Sequence, residues 1–222
     1  MKKLADDLYL LSAFPPNAIN FYLMGDVLVD AGTRHHAKSI LKQLRGRTIA
    51  AHALTHAHGD HQGSSHVVCE ALGIPLLCGE LDAEAVEDGR LGERMPSHPI
   101  AKLFDKAFTG PPHPVAQRLQ EGDVVAGFTV LDVPGHSAGH IAFWREADRT
   151  LVCGDVFTNI NVLTGLPGLH EPRSFLTPDP ARNRESMRRL AELEPALTCF
   201  GHGAPLRNPA KLTTLTDKLS RD

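Results

Sequence analysis

The chain has 222 residues, of which 42% are hydrophobic and 22% charged, a balance typical of a globular protein with a buried core. The formal net charge of −3 gives no electrostatic basis for binding nucleic acid or an anionic membrane, so neither is expected as a partner. No apolar run reaches transmembrane length, and the acidic residues after Lys3 do not match a signal peptide. Four scattered cysteines without Cys-x-x-Cys spacing indicate reduced thiols in a cytoplasmic protein, and the 13 histidines are the unusual feature.

The first third of the chain predicts short strands separated by two helices. Strand-like patterns cover residues 8–12, 18–24, 27–30, 49–54 and 74–78. The spacing of apolar residues from Ala37 to Leu44 predicts one helix. A second helix is predicted to begin after an N-cap at Ser64 and to end at Gly73.

Residues 80–122 have a different character. They are rich in charge, contain five prolines and show no alternation with a period of two. We therefore expect a helical and irregular insertion that lies over the active-site face. Its apolar residues are too few for a separate core, so residues 1–222 are expected to form a single domain.

Strands resume in the second half of the chain. They are predicted over residues 128–133, 141–144, 150–153 and 196–200. Asp179 and Pro180 begin a predicted helix, and Asn208 and Pro209 begin the last one. Clusters of antiparallel-looking strands with helices between them predict an α+β architecture of two sheets with helices outside.

The densest group of chemically active side chains follows the predicted strand at 49–54. Residues 55–63 read Thr-His-Ala-His-Gly-Asp-His-Gln-Gly. Packing does not explain three imidazoles and a carboxylate so close together, because each needs a polar partner when buried. They fit a metal site, since imidazole nitrogen and carboxylate oxygen are ligands of zinc and other transition metals. A solvated histidine-rich loop is the alternative, and it is disfavoured because further candidate ligands lie downstream.

Three later turns carry a candidate ligand beside a glycine, each directly after a predicted strand. They offer His136, Asp155 and His202. Glycine lets the backbone approach closely and so directs the neighbouring side chain. Each of these turns taken alone would be ordinary, but their recurrence at strand ends predicts a shared site.

The order His-x-His-x-Asp-His, Gly-His, Gly-Asp and Gly-His resembles the metallo-β-lactamase superfamily. The likeness covers nearly the whole chain and begins at Asp30-Ala31-Gly32, which is similar to that superfamily's early Asp-x-Gly segment. The resemblance implies an αββα sandwich of two mixed β-sheets flanked by helices, with metals at one edge of the sheets.

The resemblance also implies a hydrolase with two zinc ions, for which iron or manganese are alternatives. A hydroxide that bridges the metals would attack a carbonyl carbon. Asp60 is the predicted catalytic residue, which would orient that hydroxide and move its proton. Asp30 would orient ligands through hydrogen bonds. The implied ligands are His56, His58 and His136 for the first metal, Asp60, His61 and His202 for the second, and Asp155 as the bridge.

Local sequence is similar to the glyoxalase II branch, with Gly-His-Ser-x-Gly-His-Ile from residue 135 and Cys-Gly-Asp-x-Phe from residue 153. This likeness implies cleavage of an ester-type bond, in a thioester, a lactone or a related carbonyl substrate. Glutathione thioesterases of that branch continue into a helical domain, whereas the 20 residues after His202 leave room for one helix.

Other activities of the superfamily give alternatives. Asp155 stands where common β-lactamases carry cysteine, which disfavours antibiotic hydrolysis. The negative net charge and the lack of an RNA-gripping arm argue against tRNA processing, so phosphodiester cleavage is a less favoured alternative. A persulfide dioxygenase-like oxidoreductase would use one iron, held by His56, His136 and Asp155. A metal-stabilised binding protein without turnover is the remaining alternative.

The substrate is expected to be a small molecule held by residues 157–177 and by the segment 80–122, above the metals. His170 and Arg173 could meet a carboxylate or an amide, although a loop that simply packs on the sheet is an equal alternative. Many relatives dimerise, so a homodimer is compatible with the resemblance. The predicted apolar wall consists of Leu163, Leu166, Leu169 and Phe175.

Overall fold

Two mixed β-sheets face each other, and helices cover the outer face of each, in a computed structural model that describes residues 1–221. The first four strands of the first sheet pair antiparallel, and the fourth to the seventh pair parallel. Helices connect the parallel strands, because a parallel pair needs a crossover. The first sheet contains, in spatial order, β1 (Lys2–Ala5), β2 (Leu8–Leu10), β3 (Tyr22–Met24), β4 (Val27–Val29), β5 (Ala51–Ala53), β6 (Leu76–Gly79) and β7 (Val115–Leu119).

The second sheet comes from the carboxyl-terminal half of the chain. Its strands are β8 (Val124–Val125), β9 (Phe128–Asp132), β10 (Ile141–Arg145), β11 (Thr150–Val152) and, after a separate hairpin of β12 (Thr158–Ile160) and β13 (Pro167–His170), β14 (Leu197–Cys199). Strands β8 to β11 form an antiparallel meander, and β14 joins β11 in parallel. The carboxyl ends of β9, β11 and β14 therefore lie at the same edge.

Apolar burial holds the four layers together. Phe128 and Phe143 contribute to the core between the sheets, Ile40 packs on the outer face of the first sheet, and Leu190 and Leu212 pack on that of the second. Burial of each such side chain stabilises the fold by roughly 1.5–3 kcal/mol. The α+β sandwich expected from the sequence is confirmed. The helices are α1 (Ala37–Leu44), α2 (Gly59–Gln62), α3 (Ser65–Leu72), α4 (Glu80–Asp88), α5 (Pro99–Phe108), α6 (Pro180–Glu192) and α7 (Ala210–Leu219), with 3-10 turns at Leu91–Arg94, Glu146–Asp148 and Ser174–Leu176.

The segment 80–122 differs from the predicted insertion. It is helical over α4 and α5, as expected, but Val115–Leu119 forms β7, which pairs with β6 at the edge of the first sheet. Residues 116–118 are all exposed, which removes the alternation by which a strand is recognised. Part of this segment therefore belongs to the sheet.

Helix ends agree with the sequence in part. Ser64 precedes α3, but its hydroxyl donates to the carbonyl of Thr33 at 2.6 Å and does not cap the helix. Gly73 ends α3 in the left-handed conformation with φ of 64°, as expected. Asp179 caps α6 by accepting a hydrogen bond from the amide of Arg182 at 2.9 Å. Among residues 1–221, no helix combines the length and apolar character that crossing a bilayer requires.

Candidate metal centre

The loop after β5 supplies four of the predicted ligands. The chain leaves β5 and forms α2, a single helical turn with His58 at its N-cap position. His56, His58 and His61 are buried. Asp60 keeps 23% of its side chain exposed, so among these four it is the most accessible to a small molecule.

The second sheet supplies the other three predicted ligands. His136, Asp155 and His202 follow β9, β11 and β14, whose carboxyl ends share one edge. All three are buried, with residue exposures of 2%, 5% and 7%. Because parallel strands end at the same edge, residues far apart in sequence are brought to one place.

The first group of donor atoms comes from three histidines. The donor atoms of His56, His58 and His136 all lie within 4.8 Å of one another. Nε2 of His56 is 3.1 Å from Nδ1 of His58. Tetrahedral zinc with nitrogen ligands at about 2.0–2.1 Å holds its donors about 3.3 Å apart, so this spacing suits a single cation.

The second group combines a carboxylate with two imidazoles. The donor atoms of Asp60, His61 and His202 also lie within 4.8 Å of one another. Nε2 of His202 is 3.2 Å from Oδ2 of Asp60 and 3.0 Å from Oδ2 of Asp155. Oδ2 of Asp155 is also 3.6 Å from Nε2 of His136, a member of the first group. Asp155 therefore lies between the groups, and all seven predicted ligands are brought together.

Several buried polar atoms of this cluster have no hydrogen-bond partner within residues 1–221, which indicates whether a metal would fit there. Nε2 of His61, Nε2 of His136 and Oδ1 of Asp155 are buried and have no hydrogen-bond partner among the described residues. A buried polar atom without a partner costs roughly 1–3 kcal/mol, and native structures carry few of them. Divalent cations would bind these atoms, and the mixture of nitrogen and oxygen donors suits zinc, iron or manganese.

Hydrogen bonds on the other side of the rings orient the ligands. Asp30 is buried and accepts hydrogen bonds from the amide and the hydroxyl of Thr55 at 2.8 and 2.9 Å. Its Oδ2 also lies 2.9 Å from Nδ1 of His61. Nδ1 of His136 lies 3.0 Å from the hydroxyl of Thr177. Because Nδ1 of each ring is engaged in this way, Nε2 is left to bind a metal. Asp30 would therefore fill its predicted orienting role at the ring of His61.

Asp82 is a buried carboxylate of this region that the sequence did not reveal. It accepts hydrogen bonds from the amides of Ala57 and Gly139 at 2.9 and 2.7 Å and from the hydroxyl of Ser137 at 2.5 Å. These bonds join the two segments that carry the first group. Asp82 follows β6 closely, just as Asp155 follows β11, so a carboxylate after a buried strand was the available signal. This signal was missed because residues 80–122 were interpreted as an insertion.

His140 supports the position of Asp155. Its Nε2 accepts the amide N–H of Asp155 at 3.1 Å, and its ring stacks on His56 with centroids 4.6 Å apart. Burial lowers the pKa of His140 to about 3, so its ring is neutral and able to accept this hydrogen bond. The interaction fixes the backbone from which the Asp155 side chain reaches the cluster.

Burial and charge act differently on the two groups. Burial, reinforced by neighbouring imidazoles, lowers the pKa of His56 and His136 well below the usual value, which favours the neutral, metal-binding form. Burial also acts to lower the pKa of His61, but Asp30 and Asp155 outweigh it and raise the pKa to about 10. Burial opposes ionisation of Asp155, yet the histidines facing it lower its pKa well below the usual range. The second group is thus a strongly cation-attracting environment.

Two glycines are required because the chain approaches itself closely. A Cβ at Gly59 would overlap the backbone of Thr109. The φ of Gly59 is not left-handed, so glycine is required there by the lack of space for a side chain and not by the backbone conformation. A Cβ at Gly201 would overlap the carboxylate of Asp155 and the ring of His61. Glycine at these positions therefore permits the ligands to converge.

A cavity of about 250 Å³ borders both groups of ligands. His170 and Arg173, the predicted substrate contacts, are among its lining residues. Glu171 also lines it and forms a two-point ion pair with Arg184 at 2.8 and 3.0 Å. The apolar lining includes Met95, Phe104, Phe108, Ile160, Val162 and Leu176.

The predicted apolar wall was wrong, because none of its four residues lines this cavity. Leu163 and Leu166 are exposed in the turn between β12 and β13. Leu169 packs against the outer core of the second sheet, and Phe175 stacks on His98. The hairpin was not predicted, so the sequence could not assign which side chains face the metal ligands.

Comparison with known proteins agrees with this geometry. A family model described as the metallo-beta-lactamase superfamily matches residues 15–202. The probable metallo-hydrolase YflN of Bacillus subtilis is 29% identical over 219 residues, covering 87% of this chain and 82% of YflN. A hydroxyacylglutathione hydrolase of Bdellovibrio bacteriovorus is 27% identical over 175 residues, covering 76% of this chain and 54% of that enzyme. The crystal structure of TTHA1623 in a di-iron-bound form superposes with a TM-score of 0.63 at 29% identity, covering 93% of this chain and 91% of TTHA1623.

The fold and the clustered ligands define a class, the αββα sandwiches with a histidine and aspartate metal site at one edge of their sheets. Within that class, the chain belongs to the metallo-β-lactamase superfamily, since the family model spans most of its length. The superfamily binds divalent metals through groups of this kind, which agrees with the donor set described above.

Proposed function

We propose that the protein is a dinuclear metal-dependent hydrolase, with zinc as the metal, that cleaves an ester-type bond in a thioester, a lactone or a related carbonyl compound. The observation that carries the proposal is the convergence of two three-residue donor groups on Asp155 beside a cavity. Two adjacent cations at such a site would polarise a carbonyl oxygen and activate water at neutral pH.

The residues of the chain divide this work between them. His56, His58 and His136 would hold one ion, and Asp155 would contact both. Asp60 lines the cavity and is partly exposed, so its carboxylate can accept a hydrogen bond from the attacking water and orient it. Asp60, His61 and His202 would hold the other ion.

The cavity supports a small-molecule substrate with an apolar part. Phe104 and Phe108 of α5 form one wall, and Ile160 of β12 contributes to another. His170 and Arg173 bring cationic or polar groups to the same space, so a substrate that also carries a carboxylate is favoured. The four cysteines are free and buried, which supports a reducing compartment such as the cytoplasm.

Two relatives support the reaction class. YflN is named a probable metallo-hydrolase and the enzyme of Bdellovibrio bacteriovorus a hydroxyacylglutathione hydrolase. The second name favours a thioester among the ester-type bonds. The chain spans 54% of that enzyme's length, so the acyl carrier of the substrate is a separate question.

Metal analysis and a substrate panel together test the proposal. Protein purified without added metal and dialysed against metal-free buffer should retain two zinc ions and hydrolyse a thioester or a lactone. Protein stripped with a chelator should be inactive and should recover activity when zinc is returned.

The contrary outcomes are equally definite. A single iron per chain, together with oxygen uptake in the presence of glutathione persulfide, would replace the hydrolase by the persulfide dioxygenase-like oxidoreductase. Two iron ions with hydrolytic turnover would keep the reaction and change the metal. A di-iron-bound form of TTHA1623 has been crystallised. A β-lactam belongs in the panel to test antibiotic hydrolysis directly.

A further inference from the structure

A second cluster of metal-binding side chains lies outside the centre and shares no residue with it. His66 and Glu70 are four residues apart on α3, a spacing that places both on one face of the helix. His113 belongs to the proline-rich segment before β7. The donor atoms of these three side chains all lie within 4.8 Å of one another.

The distance between the two imidazoles suits a shared cation. Nδ1 of His66 is 3.2 Å from Nδ1 of His113. Two imidazole nitrogens this close either share a proton or bind one ion, and tetrahedral zinc separates two nitrogen donors by about 3.3 Å. Oε1 of Glu70 is 4.0 Å from Nδ1 of His113, close enough to complete a three-residue donor group.

The three side chains differ in how exposed they are. His113 is nearly buried, with 9% of its surface exposed, so packing holds its ring in place. The side chain of Glu70 is 67% exposed and can move towards the rings.

We propose that His66, Glu70 and His113 form a second zinc site outside the centre, with water completing the coordination. Two imidazoles and one carboxylate form a known donor set for zinc when a fourth position is left to water. Bound metal would tie α3 to residues 109–114, which follow α5.

The segment that this zinc would anchor also contacts the ligand loop. Nε2 of Gln62 donates to the carbonyl of Pro111 at 2.8 Å, and the amide of Gly110 donates to Oε1 of Gln62 at 3.3 Å. Gln62 is the last residue of α2, directly after His61. The outer zinc would therefore add to the hydrogen bonds that already hold residues 109–114 against the loop that carries the predicted ligands.

The test compares the zinc content of matched variants of the full chain. Each protein is dialysed against the same buffer with micromolar free zinc, and bound zinc is measured by mass spectrometry after removal of excess. Wild type should bind one zinc more than the double variant His66→Gln/His113→Gln. His35→Gln changes an exposed histidine outside the cluster and should match wild type. Equal zinc content in wild type and the double variant would overturn the proposal.

A milder variant protects this test against a failure of folding. Glu70→Gln alters an exposed side chain and should weaken the outer zinc affinity by roughly 10–100-fold, the range seen even when only a supporting partner of a ligand is lost. Added zinc should raise the Tm of wild type more than that of the double variant, because a ligand that binds the folded state stabilises it. An affinity unchanged by Glu70→Gln would contradict the three-residue site. Both results are differences between proteins with the same centre, so they do not depend on how many ions that centre holds.

Discussion

The buried centre formed by the seven predicted ligands and the outer cluster of His66, Glu70 and His113 contain the same types of side chain but hold them differently. In the centre, Asp30 contacts the ring of one ligand, and Asp82 joins two of the ligand-bearing segments. In the outer cluster, one ring is nearly buried while the carboxylate is largely exposed and 4.0 Å from its partner.

If both proposals hold, this difference distinguishes a site for chemistry from a site for stability. Ligands held by buried hydrogen bonds keep their geometry, which catalysis requires, and they exclude most water. A cluster with a mobile carboxylate must order that side chain when it binds a metal, so it binds less tightly. We therefore expect substitutions in the centre to affect turnover and substitutions in the outer cluster to affect only metal content and Tm.

The largest expected effect is on turnover, from Asp60. Asp60→Asn keeps the size of the side chain but removes the negative charge that would orient water, so kcat/KM should fall by about 10²–10⁴-fold. Steady-state kinetics on a substrate that wild type hydrolyses would measure this loss. The double variant His66→Gln/His113→Gln should retain wild-type turnover.

Metal content of Asp60→Asn completes the comparison. If both zinc ions remain and turnover is lost, Asp60 acts on the reaction itself. If one zinc is lost together with activity, Asp60 serves chiefly as a ligand. Near-normal turnover would remove Asp60 from the mechanism and would contradict the separation of the two regions.

The sequence predicted which side chains lie together in the centre better than it predicted the residues around them. His136, Asp155 and His202 could be found because each follows a strand beside a glycine, and strand ends of one sheet meet at one edge. Asp82 also follows a strand closely, but it has no glycine beside it and lies in the segment that was interpreted as an insertion. Its partners are two backbone amides and a serine hydroxyl, which leave no pattern in the sequence.

The cavity wall and the outer cluster needed the three-dimensional structure for a similar reason. Whether Leu169 or Ile160 faces the cavity depends on the register of a hairpin that the sequence did not indicate. His113 lies 47 residues from His66 and meets it only because β7 joins the first sheet. Tertiary contacts of this kind are not encoded by local periodicity.

The second largest effect is expected on the pH dependence of stability, at His52. The pKa of this residue is influenced by one residue of the centre and one of the outer cluster. His52 is fully buried, with Nδ1 3.0 Å from the carbonyl of Leu28 and Nε2 2.8 Å from the hydroxyl of Ser65. Burial lowers the pKa of His52 from 6.5 to about 4, a shift that Asp30 of the centre opposes and His113 of the outer cluster reinforces.

The sign of the resulting pH dependence follows from linkage. Between the two pKa values of His52, the unfolded chain binds a proton that the folded chain does not. Its contribution to stability is therefore complete above pH 6.5 and is lost as the pH falls towards 4. At about 1.36 kcal/mol per unit of pKa, the loss is roughly 3 kcal/mol. Urea unfolding of chelator-treated protein should show a shallower pH dependence for His52→Gln than for wild type, and equal slopes would contradict the assignment.

The next largest effect, on stability and metal affinity, is expected at Asp82. Its carboxylate accepts hydrogen bonds from the two chain segments that carry the first group of predicted ligands. Asp82→Asn would bring an amide N–H towards groups that now donate to a carboxylate, leaving at least one buried donor unpaired. The free energy of unfolding should fall by about 1–3 kcal/mol, and metal affinity should weaken by roughly 10–100-fold. Glu84→Gln, on the same helix, loses only a largely exposed ion pair with Arg94 and should change stability by about 0–1 kcal/mol. Equal effects of the two variants would show that Asp82 does not hold the ligand-bearing segments together.

The smallest effect is expected at the exposed rim of the cavity, where Arg173 would meet an anionic substrate. An exposed ion pair contributes about 0.2–1 kcal/mol, so Arg173→Gln should lower kcat/KM by roughly 1.5–5-fold for a substrate with a carboxylate. An uncharged analogue should be unaffected, and the difference should shrink as salt screens the charge. Lys211→Gln, which removes an exposed cation of α7 that does not line the cavity, should alter neither substrate. An equal loss with the charged and the uncharged substrate would mean that Arg173 supports the cavity wall and does not recognise charge.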